Sequence, residues 1–161
     1  MKSLSSERVW QTIGFGLIAG MRSLSAPALI SHYLSNKISY RLNRSPLRFI
    51  KKPLINKGLK VLAVSEMVGD KLPAMPDRIS GGVLAGRAVS GAITGAVIYK
   101  SSGGKITNGA LLGCATAIVA TYATFYLRKK MKAGSGLPDS LLGLAEDVIA
   151  IGGGIGLLKS R

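Results

Sequence analysis

The sequence predicts an all-α, polytopic membrane protein with four full spans and one short or re-entrant helix. It is read as a single integral membrane domain over residues 1–161, with glycine-rich helix packing and an internal repeat. Three observations predict this. Apolar residues make up 47% of a chain whose 22 Lys+Arg against 7 Asp+Glu give it a charge of +15, and its mean hydropathy is still +0.32. The apolar residues are gathered into runs of about the length a helix needs to cross a bilayer, roughly 20 residues. Six of the seven acids fall in or beside those runs, and none lies in the basic connector.

These features exclude other classes. Disorder requires a chain poor in apolar residues. A disulfide scaffold or a structural zinc site is excluded by a single cysteine, Cys114, and a single histidine, His32. Nucleic-acid binding has no aromatic platform or motif behind it, so no nucleic-acid partner is expected. No nucleotide fingerprint or catalytic triad is present, and no cofactor is expected.

The first expected span runs from Val9 to Leu34, interrupted by Arg22; it is too long for the apolar core of a cleavable signal. A basic connector, residues 36–58, follows. It carries Lys37, Arg41, Arg44, Arg48, Lys51, Lys52 and Lys57 with no acid, and reads as a cytoplasmic loop of a multi-pass protein in the cytoplasmic (inner) membrane. Its expected partner is anionic lipid headgroups; a sharper form makes it an amphipathic helix with Ile38, Leu42 and Phe49 toward lipid. A short apolar stretch, Leu59–Gly69, contains Glu66. Three further spans are expected at Ile79–Tyr99 with Arg87, Ile106–Leu127 with no charge, and Pro138–Leu158 with Asp139, Glu146 and Asp147.

Topology turns on residues 59–78. If that segment crosses, the basic cluster Arg128–Lys132 falls on the opposite side from the connector. If it dips in and returns, both clusters are cytoplasmic, which the positive-inside rule prefers. The segments GLIAGMRSLSA (residues 16–26) and GVLAGRAVSGA (residues 82–92) align with one skipped residue, pairing Arg22 with Arg87 and Ser25 with Ser90. LAVSE ending at Glu66 and LGLAE ending at Glu146 form a second echo. In the re-entrant topology the two copies are inverted, as in many secondary transporters.

A charge in mid-bilayer costs ~2.5–3.5 kcal/mol on insertion scales, so it needs a partner or a wet cavity. Arg22 and Arg87 are therefore expected to face Glu66, Glu146 and Asp147. Glu66 and Asp70 share a helix face, and Pro73 and Pro76 end that helix. Asp77 and Arg78 then open the next span, where an acid suits the helix N-terminus. Gly82, Gly86, Ser90 and Thr94, and Gly109, Gly113, Ala117 and Thr121, form two small-residue stripes suited to close helix packing and to a homo-oligomer.

Taken together, GxxAGxRS, SExxGDKLPxxPDR, AGRxxSGA and a final AED resemble the domain-of-unknown-function 4126 family of small bacterial integral membrane proteins, over roughly Gly14 to Gly156. The resemblance implies a membrane protein and marks Arg22, Glu66, Asp70, Asp77, Arg78, Arg87, Glu146 and Asp147 as motif positions, without assigning them a role. The leading expectation is a small ion-coupled transporter or channel in which those residues form a binding site or ion pathway. The alternatives are a membrane enzyme acting on a lipid or isoprenoid phosphate, with metal held by Asp70 and Asp77, and a structural assembly module.

Overall fold

The computed structural model describes residues 2–36, 40–69, 79–135 and 139–159, and every regular element among them is helical. In chain order these are α1 (Lys2–Met21), α2 (Ser25–Ser35), α3 (Tyr40–Asn43), a 3₁₀ helix (Pro46–Lys51), α4 (Pro53–Gly69), α5 (Gly81–Ser101), α6 (Ile106–Ser135) and α7 (Asp139–Lys159). Local chemistry explains several boundaries. Pro46 and Pro53 stand at first helical positions, where the missing N–H costs nothing. α5 ends in a Schellman motif: Gly104 N–H donates to Tyr99 C=O at 2.7 Å and Gly103 N–H to Lys100 C=O at 3.2 Å. That motif needs a left-handed residue, and Gly103 supplies it at φ 80°.

Three helices are long and apolar enough to cross a membrane: Gly81–Ser101, Ile106–Gly134 and Leu141–Lys159. Beside a hydrophobic core, the protein exposes many large apolar side chains and buries several polar ones. Trp10, Leu54, Val61, Val89, Leu111, Val119, Val148 and Ile149 are exposed, while Thr12, Arg22, Ser31, Arg87, Thr94 and Thr121 are buried. Water does not favour such a surface, and a hydrocarbon solvent does.

Glycine governs the tightest contacts. α5 and α6 run antiparallel, with Gly91 against the Gly113 carbonyl and Gly95 against the Gly109 carbonyl; a Cβ at either α5 position would overlap backbone. α1 lies parallel to α6, Gly16 meeting Thr116 and Gly20 meeting the Ala117 carbonyl. The stripe expected on α5 is thus displaced. Ser90 and Thr94 are buried, but Gly82 and Gly86 meet nothing within 4 Å. The close approach occupies the second half of α5, nearer the tight turn into α6.

The first expected span is not one helix. α1 descends antiparallel to α7, with Gly14 at Leu157, Ile18 at Gly154 and Arg22 at Asp147. The chain breaks at Arg22–Leu24, and α2 then returns, because Leu29 packs on the same Gly154 that Ile18 touches. α1 and α2 form a hairpin whose tip is buried. Hydropathy cannot separate a straight span from such a hairpin, since both are apolar throughout.

α4 descends beside α2. Asn56 Nδ2 donates to Ser35 Oγ at 3.0 Å, Lys60 Nζ meets His32 Nδ1 at 3.1 Å, and Glu66 reaches the hairpin tip. It ends at Gly69, at the end of the bundle where α5 starts. α4 therefore runs the length of α2 toward the end of the bundle where α5 starts; the rest of the 59–78 segment, residues 70–78, lies outside the described residues. The basic clusters lie apart: Arg41 packs on Gly103 beside Lys100, whereas Arg128 lies on the opposite half. The connector is folded as well. Leu42 and Ile50 are fully buried and Ser31 Oγ donates to the Ile50 carbonyl at 2.5 Å, so Leu42 does not face lipid. Phe49 is partly exposed, and Ile38 lies outside the described residues.

Gly95→Ala is expected to destabilise the protein by about 1–3 kcal/mol, because its Cβ meets main chain that cannot move aside. Gly86→Ala is expected to stay within about 1 kcal/mol of the parent. Thermal unfolding midpoints in one detergent check both.

Candidate functional site

The hairpin tip leaves main-chain groups that an uninterrupted helix would pair internally. Arg22 N–H still donates to Ile18 C=O at 2.7 Å, the last bond of α1. Ser23 and Leu24 N–H donate instead to Glu66, at 2.8 Å to Oε1 and 2.9 Å to Oε2. Glu66 thereby caps the start of α2, whose own N-cap, Leu24, has no side chain able to do so. A carboxylate there also suits the positive end of the helix dipole.

The carbonyls are served from the other side. Gly20 C=O has lost Leu24 N–H as a donor, and accepts from Arg87 Nη1 at 2.9 Å and Thr121 Oγ1 at 3.1 Å. Ser23 C=O has no donor four residues on, because that residue is Pro27; Ser90 Oγ donates to it instead. α4, α5 and α6 each contribute a side chain to the break.

A charged cluster adjoins it. Arg22, fully buried, places Nε 2.7 Å from Asp147 Oδ1, and Arg128 Nη1 lies 3.5 Å from Glu146 Oε2. Gly143 sits between the two arginines: a Cβ there would lie 3.3 Å from Arg128 Nη2 and 3.8 Å from Arg22 Nη2. Among the described residues around the tip the bases are Arg22, Arg87 and Arg128 and the acids are Glu66, Glu146 and Asp147, so their charges cancel.

Five of the eight expected site residues, Arg22, Glu66, Arg87, Glu146 and Asp147, meet here. Asp70, Asp77 and Arg78 lie outside the described residues. The pairing differs in detail from simple Arg–acid matching, since Glu66 and Arg87 each serve main chain as well as balancing charge. Arg128 was missed, because Lys129 and Lys130 after it make it read as a helix flank. Ser90 and Thr121 read as packing residues; Pro27 after an intramembrane Arg is the signal that a free carbonyl needs a hydroxyl. Among the described residues no three His, Cys, Asp or Glu side chains converge as metal ligands.

Fold and site define an all-helical protein with apolar helices compatible with a membrane and charges gathered inside. The sequence profile described as domain of unknown function (DUF4126) matches residues 9–159, and the chain belongs to that family. The match takes in every residue of the charged cluster. Neither curated proteins nor solved structures gave a match.

Asp147→Asn is expected to cost about 3–5 kcal/mol by leaving Arg22 buried without its counter-charge, and the double replacement Arg22→Met/Asp147→Leu is expected to cost less than that single change. A double-mutant cycle on unfolding midpoints tests the pair. Glu66→Ala is expected to cost about 1–3 kcal/mol for each N–H left unsatisfied. The amides of Ser23 and Leu24 should then lose hydrogen-exchange protection before the rest of α2.

Proposed function

We propose that the protein is a small ion-coupled transporter of the cytoplasmic membrane, with the α1–α2 hairpin entering from one side and its tip forming the binding region. The observation that carries this reading is a helix break placed inside the bundle next to ionisable side chains. In membranes, irregular backbone is tolerated where protein or a water-filled cavity covers it, and transporters place substrate and ion sites at such breaks. Intramembrane ionisable residues are costly and concentrate on ion pathways.

The directions of the helices support an inverted repeat. α1 opposes α5, α2 opposes α6 and α4 opposes α7, so the unit α1–α2–α4 and the unit α5–α6–α7 traverse the bundle in opposite senses. The Arg22 segment (residues 16–26) straddles the end of α1, the break and the start of α2, whereas the Arg87 segment (residues 82–92) lies within α5; Glu66 and Glu146 lie on α4 and α7. In this reading α4 to α7 are the crossing helices. The end carrying Arg41, Arg44, Arg48, Lys51, Lys52, Lys100 and Lys105 is cytoplasmic, by its excess of bases over the opposite end.

Glu146 is the coupling acid. Glu66 is held by two main-chain N–H groups and Asp147 by Arg22 at 2.7 Å, whereas Glu146 meets Arg128 at 3.5 Å and both of those side chains are 13% exposed.

In proteoliposomes loaded with a pH-sensitive dye, tested under H⁺, Na⁺ and K⁺ gradients, the parent protein is expected to carry ion flux above protein-free vesicles. Glu146→Gln is expected to reduce it to background with unchanged helical content. Parent vesicles silent under all three gradients, or Glu146→Gln at parental flux, would overturn the assignment.

A further inference from the structure

We infer that the connector end carries a site for a phosphate-bearing anion, formed by Arg41 of α3, Arg44 just after that helix and Lys100 of α5 around the Gly103–Gly104 turn. This goes beyond the transport reading and uses none of the residues at the hairpin tip. The three side chains line a cavity of 390 Å³ with Gly103 and Gly104 as its floor. The turn is shaped for it. A Cβ on Gly103 would overlap Arg41 Nη1, so only glycine lets the guanidinium lie over the turn, and the same residue has the left-handed φ that closes α5.

Among the described residues the charge is uncompensated. No described acid pairs with Arg41, Arg44 or Lys100. Glu66, Glu146 and Asp147 are engaged at the hairpin tip, which leaves Glu7 as the acid of this end with a described side chain. Arg8 adds to the field, stacked 5.6 Å from the Tyr99 ring centroid and close to Gly104. Two guanidiniums and an ammonium converging on one open cavity suit the oxygens of a phosphate, which arginine binds through paired N–H groups. A neighbouring cavity of 410 Å³ is lined by Asn43, Arg48, Lys51 and Lys52, but there Lys51 Nζ already donates to Asn43 Oδ1 at 3.0 Å.

The surroundings favour a lipid headgroup as the source of the phosphate. Tyr40, 80% exposed, precedes Arg41, and Trp10, 67% exposed, follows Arg8 by two residues. Exposed aromatic side chains of this kind mark the level of the membrane–water interface, where headgroup phosphates lie.

The test uses the full-length protein in an uncharged detergent, with phosphatidylglycerol, phosphatidylcholine and inorganic phosphate as separate probes. Binding is read by native mass spectrometry and by the unfolding midpoint. Phosphatidylglycerol is expected to bind and raise the midpoint, and phosphatidylcholine is not. Arg41→Gln/Arg44→Gln/Lys100→Gln is expected to weaken phosphatidylglycerol binding on the order of 100-fold. Arg44→Gln, which removes one exposed side chain, is expected to weaken it about fivefold while remaining folded. Lys129→Gln/Lys130→Gln/Lys132→Gln, with the same charge change at the other end, is expected to bind as the parent does. If millimolar inorganic phosphate binds and displaces the lipid, the site holds and its ligand is a free phosphate. Parental binding by Arg44→Gln and the triple variant, equal loss in the Lys129–Lys132 control, or no binding of either anion overturns the proposal.

Discussion

Glu66 accepts hydrogen bonds from Ser23 and Leu24 N–H, and the architecture of the N-terminal half depends on that contact. A helix that stops inside a bundle leaves donors at the start of the next segment and acceptors at its own end. Main-chain groups left bare in an apolar interior cost about 1–3 kcal/mol each. The break therefore exists only because its partners arrive together. The carboxylate comes from α4, the guanidinium of Arg87 and the hydroxyl of Ser90 from α5, and the hydroxyl of Thr121 from α6. Each partner also matches the local field, with an anion at the positive end of α2 and a cation at the negative end of α1.

Close packing makes those contacts reachable. Gly91 and Gly95 let α5 approach α6 at backbone distance, and Gly16 and Gly20 bring α1 down onto α6. Gly20 has two functions: it gives up its side chain so that α1 can touch Ala117, and its carbonyl is the acceptor for Arg87 and Thr121. A bulkier residue there would move the acceptor away from both donors. With no hydrophobic effect between helices in lipid, such contacts and internal hydrogen bonds are what association rests on. The burial of Thr12, Thr94 and Thr121 alongside exposed Val89, Leu111 and Val119 follows the same logic.

Most of the helices, and five of the site residues, are legible in the sequence, because an Arg or Glu within an apolar run is conspicuous and must find a partner. The hairpin is not. Val9–Leu34 has the length and hydropathy of a span, and the evidence against it is distributed: Arg22 at the break, Pro27 removing one donor, and Glu66 more than forty residues away supplying two acceptors. Arg128 is hidden for the opposite reason, since a base among bases at a helix end looks like a flank. Leu42 misleads because a sparse apolar residue in a basic stretch fits an amphipathic surface helix as well as a folded cap. The burial of Leu42 and Ile50 and the contact of Arg41 with Gly103 separate the two.

The three acids at the tip have different partners. Glu66 is fixed by main chain, Asp147 by a buried guanidinium at 2.7 Å, and Glu146 by a longer contact to Arg128. Among the described residues Arg22, Arg87 and Arg128 offset them. Protonating any one acid leaves a positive charge in surroundings where an unbalanced charge is costly. Arg128 lies seven residues beyond Thr121 on a helix that continues to Ser135, and Gly143 sits beside both Arg128 and Arg22.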